Sequence, residues 1–529
     1  MFLFHKYSKT RHRLLPALVL FLCLAFSHPD GRAQYINKVF DYANDVDWGN
    51  DIFMLPDSSF YIMGNCGYNY FAGEAVMHIS ADGNQMLGKK ILKKDYVNLY
   101  IGNGNKGRVK RLKNGNYLMP LLESTPDPNQ NDPYTKAGFG IVDSVGDSVM
   151  VKVYNQDTSI GEFAYDCAIM PNGDYLIAGS TQKHNANLTT GKGLLIRTDS
   201  NGNLLWKHEY TGWNTQINSI QILPNGNLLI GAEQTKLVWF GQYFHYKSIP
   251  NFIIADSANG NIIKSVYLYN YEGGGNIFSD ANGGYYHWGR RDTMAIPTSP
   301  DSYRNFPDYL MKLDDSFHMV WYKEFEWSMD KGHRYFFLAR QTKDKGYIVM
   351  GSRDINIYKN STYTEELFGW AAKINAQGFV VWEHDYIIDS SQDAYITDMA
   401  ETPTGGYAFT GNTRDNSLPV ARSYDAWLIV TDSNGCLIPG CDPLKVKEHA
   451  KTINEVTIYP NPVNEQFTIK GITKGTTVQL CDITGREVYH SIAVYSFEEI
   501  NTSSLSTGTY ILQLTDNAGN RMVRKMVKE

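Results

Sequence analysis

The sequence predicts an all-β protein: a seven-bladed β-propeller followed by a small C-terminal β-sandwich. Three observations carry this. An apolar strand, a tight turn and an aromatic-aliphatic strand recur seven times; a second hairpin recurs seven times between them; and no helical apolar period appears in this repeat region, residues 35 to 440.

Taken in chain order, residues 1–33 read as a signal peptide. Lys6, Lys9, Arg11, His12 and Arg13 give a basic start, Leu14 to Phe26 is apolar, and Gly31-Arg32-Ala33 supplies small residues at the cleavage offsets. About 13 apolar residues are too few to span a bilayer, which needs roughly 20. No transmembrane segment is therefore expected in the mature chain, which would begin at Gln34.

Residues 34–440 hold the repeat. The clearest first hairpins are Ile169-Met170-Pro171-Asn172-Gly173-Asp174-Tyr175-Leu176-Ile177-Ala178-Gly179 and Ile222-Leu223-Pro224-Asn225-Gly226-Asn227-Leu228-Leu229-Ile230. Asn-Gly between apolar runs predicts a hairpin with a type I′ turn. Two positions after each turn stand Phe60, Tyr117, Tyr175, Leu228, Tyr285, Tyr347 and Tyr407, spaced by 57, 58, 53, 57, 62 and 60 residues. The second hairpins turn at Asp82-Gly83, Val145-Gly146, Asn201-Gly202, Asn259-Gly260, Ser316-Phe317, Gln377-Gly378 and Asn434-Gly435. Two hairpins per unit make a four-stranded sheet, and seven such sheets fit a propeller. The seventh unit breaks off at Cys436-Leu437-Ile438-Pro439-Gly440, while Tyr35 to Asp41 is a strand without a partner in its own unit. The N-terminal strand is therefore expected to complete blade seven and hide an open edge.

Residues 441–454 read as a linker. In 455–529, Ile458-Tyr459-Pro460-Asn461-Pro462 is followed by Asp482-Ile483-Thr484-Gly485-Arg486-Glu487-Val488, by Leu505-Ser506-Thr507-Gly508-Thr509-Tyr510, and by a last strand ending Lys525-Met526-Val527-Lys528. This ordered set closely resembles the type A C-terminal sorting domain of the Bacteroidetes type IX secretion system (the Por secretion tail). The resemblance rests on Tyr459, Pro460, Asn461, Pro462, Asp482, Gly485, Gly508, Tyr510 and Lys525. It implies passage through the periplasm to the outer-membrane surface or the medium. It also implies two partners, the outer-membrane translocon and a sortase-like peptidase. The repeat region resembles, more loosely, secreted bacterial propellers built from "DGGY-x-x-x-G" units, a likeness that carries no single activity.

Composition excludes one partner class. A net charge of −6 lacks the basic footprint that nucleic acid demands. Beyond the leader five cysteines remain, an odd number; Cys436 and Cys441 flank Pro439-Gly440 at a spacing that can close a small disulfide loop. No G-x-S-x-G, H-E-x-x-H or P-loop occurs, and no catalytic residue is assigned. Trp206, Trp321 and Trp382 resemble the docking tryptophans of quinoprotein propellers, whose Asp-to-Gly spacing is one residue longer; packing between blades explains them better, and no cofactor is expected. Asp199, Asp256, Asp314 and Asp432 precede turns and are expected to cap their own backbone. Asp45-Val46-Asp47-Trp48-Gly49-Asn50-Asp51 clusters carboxylates that Ca²⁺ would favour, but it lacks the closing bidentate Glu of an EF-hand; no metal site is assigned. Arg291-Asp292, Arg353-Asp354 and Arg414-Asp415 read as mutually neutralised pairs.

The functional expectation rests on the connections after strand two, among them 233–250, 290–307 and 352–368. They read as long irregular loops carrying aromatic residues, of which Trp239, Tyr243, Tyr246, Tyr303, Tyr358 and Tyr363 are candidate ligand contacts. The reading is a non-catalytic glycan- or protein-binding module. The alternative is an extracellular polysaccharide-acting hydrolase or lyase, which would need acidic groups converging at the central mouth; a purely structural envelope component is a third reading.

Overall fold

The first hairpin of each blade closes by the same local device. In the best copy the Gly173 amide donates to the Met170 carbonyl at 2.9 Å, and the Met170 amide donates to the Asp174 carbonyl at 2.8 Å. Only Gly173, at φ +92°, is left-handed. This is a type I turn followed by a left-handed residue, not the type I′ turn expected from Asn-Gly. The Asn172 side chain explains the difference: its Oδ1 accepts the Asp174 amide at 3.2 Å, an arrangement that holds Asn172 in the right-handed region. The expected Asp caps are present as well. Asp199 Oδ1 accepts the amides of Asn201 and Asn203 at 2.9 and 2.8 Å, and Asp314 and Asp432 repeat the pattern.

The computed structural model describes residues 35–41, 47–66, 73–92, 98–101, 108–125, 134–154, 160–183, 191–210, 215–240, 243–291, 307–325, 333–359, 362–388, 391–415, 424–438, 456–482, 486–515 and 521–529. The leader 1–33 and the linker 441–454 lie outside them. Two units emerge, 1–443 and 444–529.

In the first unit the hairpins stack into seven blades, those of blades 6 and 7 being joined into one sheet by a single parallel pair, Leu367↔Asp393. Phe60, Tyr117, Tyr175, Leu228, Tyr285, Tyr347 and Tyr407 each open the second strand of a blade, and all are buried. Blade 3 is typical, with Ile160–Ile169, Tyr175–Lys183, Lys192–Thr198 and Leu204–Tyr210 in spatial order. First strands are mostly buried and fourth strands mostly exposed, so the first strands face the axis. In blade 2 the first strand is split into Asn98–Ile101 and Lys110–Arg111, both paired with Tyr117–Thr125. Blade 7 takes its fourth strand from the N-terminus: Ile36–Phe40 pairs antiparallel with Tyr424–Thr431, from Ile36↔Val430 to Phe40↔Ala426. The ring is closed by hydrogen bonds between its two ends.

Neighbouring blades lock through the second turns. Trp321 Nε1 donates to the Ala376 carbonyl at 3.1 Å, and Trp382 Nε1 to Ser433 O at 3.1 Å. Tyr386 and Tyr210 hydroxyls reach Gly435 O and Gly260 O at 2.8 and 2.7 Å. A Cβ on Gly378 would lie 2.9 Å from the Trp321 ring, and one on Gly83 only 2.7 Å from Ile36. The N-terminal strand thus presents Ile36 to blade 1 as the outer strands of blades 5 and 6 present Trp321 and Trp382 to the next blade.

The second unit is a two-sheet sandwich. Thr457–Tyr459, Gln466–Lys470 and Phe497–Asn501 form one sheet; Glu487–Ile492, Thr477–Asp482, Gly508–Thr515 and Arg521–Lys528 form the other. Phe467, Ile469, Val478, Leu480, Ile500, Leu512, Leu514 and Met526 fill its core.

Candidate functional site

The connections after strand two are not all loops. In blade 4, Leu228–Phe240 and Tyr243–Ala255 pair along their full length, and in blade 6 so do Tyr347–Lys359 and Thr362–Ile374. Beyond Gln234 the blade 4 strands pair only with each other, from Thr235↔Ser248 to Phe240↔Tyr243. Six such pairs make a ribbon roughly 20 Å long, at about 3.4 Å per residue. Aromatic and β-branched residues at 235–246 suit a strand better than a coil, and this corrects the expectation of irregular segments at 233–250 and 352–368.

The register sorts the candidate contacts. Trp239 stands opposite Phe244 and Leu237 opposite Tyr246, while Tyr243 pairs with Phe240. Because strand positions alternate, Trp239 and Tyr246 fall in one set and Tyr243 in the other. Tyr358 and Tyr363 pair directly with each other. Tyr303 lies outside the described residues. Both ribbons leave the same face, on either side of the blade 5 connection. A groove of about 500 Å³ lies on the opposite, turn-bearing face between blades 6 and 7, lined by Asp344, Lys373, Trp382, Glu401 and Tyr407.

At the axis the first strands bulge, with register shifts between Ala164 and Asp166, Ile217 and Ser219, and Ile396 and Asp398. The residue after each bulge accepts a backbone amide from the next blade. Asp166 Oδ2 takes Ile220 N at 2.9 Å, Ser219 Oγ takes Ile277 N at 3.0 Å, and Asp398 Oδ2 takes Ile52 N at 3.3 Å. Asp51 Oδ1 likewise takes Val109 N at 2.9 Å. The Asp398 contact carries the pattern across the closure from blade 7 to blade 1. Cations balance this belt: Arg108 lies 3.4 Å and Lys110 3.2 Å from Asp166, and Arg340 lies 3.0 Å from Asp398. Burial, followed by the Asp398 carboxylate, pushes the Asp51 pKa up from 3.8 to about 7. Sequence reasoning missed this belt, though a signal exists. Asp51, Arg108, Asp166, Ser219, Asn276 and Asp398 all stand nine residues before the aromatic or aliphatic residue that opens strand two, and only Leu338 breaks the series.

The remaining candidates resolve individually. Arg353 pairs with Asp385 at 2.5 Å and Arg414 with Asp393 at 3.5 Å, so the arginines are neutralised by other strands. Asp354, the sequence neighbour of Arg353, accepts the His333 amide at 2.5 Å; the side chains of Arg291, Asp292 and Asp415 lie outside the described residues. Asp47 and Asp51 diverge, one toward Asp425 and the other toward Val109; Asp45 is outside the described residues. Cys436 is disulfide-bonded, Cys66, Cys167 and Cys481 are free thiols, and Cys441 is outside the described residues.

In the sandwich, the motif residues hold the last strand in place. Pro460 and Pro462 offer no amide. Asn461 supplies the pairing instead: Nδ2 donates to Lys525 O and Oδ1 accepts Val527 N, both at 2.8 Å. Val463 continues as a parallel partner, its amide donating to Val527 O at 2.7 Å. Asp482 accepts both the amide and Nε of Arg486 at 3.1 Å, and the Tyr510 hydroxyl donates to Ser506 O at 2.8 Å. Gly485 lies outside the described residues; Tyr459 and Lys525 are exposed. Residues 457–529 match the family model of the secretion system C-terminal sorting domain. The chain carries a type IX sorting domain.

That sorting domain directs the protein to the secretion machinery and places it on the cell surface or in the medium. An endo-acting ulvan lyase from Formosa agariphila is 31% identical over 88 residues, covering 16% of this chain and 17% of that enzyme. The chain thus spans about a sixth of the length of the curated relative it matches. Among solved structures, PorZ of Porphyromonas gingivalis, a surface component of the type IX system, is 10% identical at TM-score 0.30, covering 96% of this chain and 88% of its own. Hydrazine synthase of Kuenenia stuttgartiensis is 10% identical at TM-score 0.41, covering 75% and 99%. A Bombyx mori β-fructofuranosidase is 9% identical at TM-score 0.33, covering 78% and 95%. Among the described residues, no helix is long and apolar enough to cross a membrane.

Proposed function

We propose that the propeller is a non-catalytic binding module displayed outside the cell, which captures a glycan or protein ligand through blades 4 to 6. The observation that carries this is the pair of projecting ribbons, whose register sets Trp239 beside Phe244 and Tyr358 beside Tyr363. A strand-paired ribbon holds aromatic platforms with less ordering entropy than a coil, which favours binding. In this reading the translocon and the sortase-like peptidase act on the sorting domain, and the propeller is the cargo.

The alternative is a polysaccharide-acting hydrolase or lyase, and the ulvan lyase likeness is the observation that favours it. Asp51 and Asp398 are an acidic pair near the axis, as that reading requires. Both are sealed from solvent, and Asp398 is already taken by the Ile52 amide and Arg340, so their geometry serves ring closure. The test is a polysaccharide pull-down and glycan array with purified mature protein, with bound sugars assayed for cleavage products. Retention without products, lost in Trp239→Ala/Tyr246→Ala at unchanged melting temperature, is the expected result. Cleavage products would replace the reading with the enzyme, and retention unaffected by the double substitution would remove the blade 4 ribbon as the site.

A further inference from the structure

The N-terminal strand ends at Phe40, opposite Ala426, so the next residues across the two strands are Asp41 and Asp425. A third, Asp47, joins them from the segment entering blade 1, where its amide donates to Tyr424 O at 2.6 Å and it bridges to Cys66. One carboxylate oxygen from each of the three lies within 4.8 Å of the others, with Asp47 and Asp425 buried and Asp41 exposed. A separate observation points to a ligand. Thr413 stands directly opposite Asp425 in the blade 7 register, on the same face of the sheet. It is 1% exposed, and its Oγ1 makes no hydrogen bond among the described residues.

We propose that Asp41, Asp47, Asp425 and Thr413 form a calcium site that pins the seam of the ring. The donors are all hard oxygens; the three carboxylate oxygens lie close enough to share an ion that takes ligands at about 2.3–2.6 Å, and Thr413 stands beside Asp425 on the same face. One open side, at Asp41, leaves room for water to complete the 6–8 ligands calcium takes. The site ties the N-terminal strand, the third strand of blade 7 and the entry to blade 1, the three segments whose separation would open the propeller. It also differs from the contiguous Asp45–Asp51 run, of which it uses Asp47 alone. Export fits the chemistry, because extracellular modules bind calcium at about 10⁻⁴–10⁻³ M.

The test uses the full mature protein, with calcium alone as ligand and terbium luminescence as the probe. Calcium in the millimolar range should raise the unfolding midpoint and displace terbium. Asp41→Asn, at the exposed ligand, should weaken calcium binding about tenfold or more through lost ligand charge. Thr413→Val should weaken it too, and both variants should unfold like the parent in EGTA. A midpoint indifferent to calcium, or a calcium response that survives both substitutions, overturns the site.

Discussion

Burial and the Asp398 carboxylate hold a proton on Asp51 up to about pH 7, against 3.8 for an ordinary Asp. A carboxyl with a raised folded pKa binds its proton more tightly in the native state. Its penalty is therefore absent below pH 3.8 and grows as the pH climbs toward about 7. Asp51→Asn keeps an acceptor for the Val109 amide and removes the charge. It should raise the melting temperature at pH 8 and leave it nearly unchanged at pH 4; a variant less stable than the parent at both pH values would contradict this. A second residue-scale expectation concerns Cys436, which is disulfide-bonded. Non-reducing peptide mapping should find it joined to Cys441, and Cys436→Ser should lose about 2 kcal/mol, as expected for so short a loop. The strand-opening tyrosines were legible because aromatic residues after Gly turns stand out. The belt nine residues earlier was hidden, because Asp, Arg, Ser and Asn share polarity but no residue type.

At the scale of elements, turn chemistry was read correctly as to place and wrongly as to type. Asn-Gly marked four of the seven first turns, while those at Ser58, Lys345 and Gly405 close in the same way without it; the Asx bond of Asn172 chose the right-handed conformation. The ribbons of blades 4 and 6 were legible as aromatic-rich segments and not as strands, since pairing partners fix a two-stranded ribbon. Contacts between blades also live at this scale. Gly378 sits at φ +89° with the Trp321 ring 2.9 Å from its missing Cβ. Gly378→Ala should therefore destabilise by about 1–3 kcal/mol, from backbone strain and overpacking together. Gly173→Ala, where a Cβ would meet nothing within 4 Å, should lose only the backbone part. Denaturant midpoints of the two variants measure the difference, and equal losses would show that the tryptophan contact contributes nothing.

For the whole molecule, two deletions separate folding from delivery. Removing 455–529 takes away the sorting domain and leaves the propeller's own strands intact, so the truncated protein should fold and accumulate in the periplasm. Normal surface delivery, read by protease shaving of intact cells, would refute the sorting assignment. Removing 35–41 takes away the fourth strand of blade 7 and exposes the edge of Tyr424–Thr431. That variant should aggregate or lose cooperative unfolding, because an open edge templates further pairing.

Local patterns determined the all-β class, the seven repeats, the N-terminal strand's place in blade 7 and the export tail. Each is written in turn residues, alternation or a contiguous motif, which act over a few residues. Only the tertiary structure decided the rest: which carboxylates meet at the axis, which arginine finds which aspartate, and that Asp41, Asp47, Asp425 and Thr413 converge. Ring closure brings Asp41 and Asp47 together with Asp425, almost the whole length of the propeller away in sequence. Nothing local in a chain records which distant side chain will arrive to balance its charge.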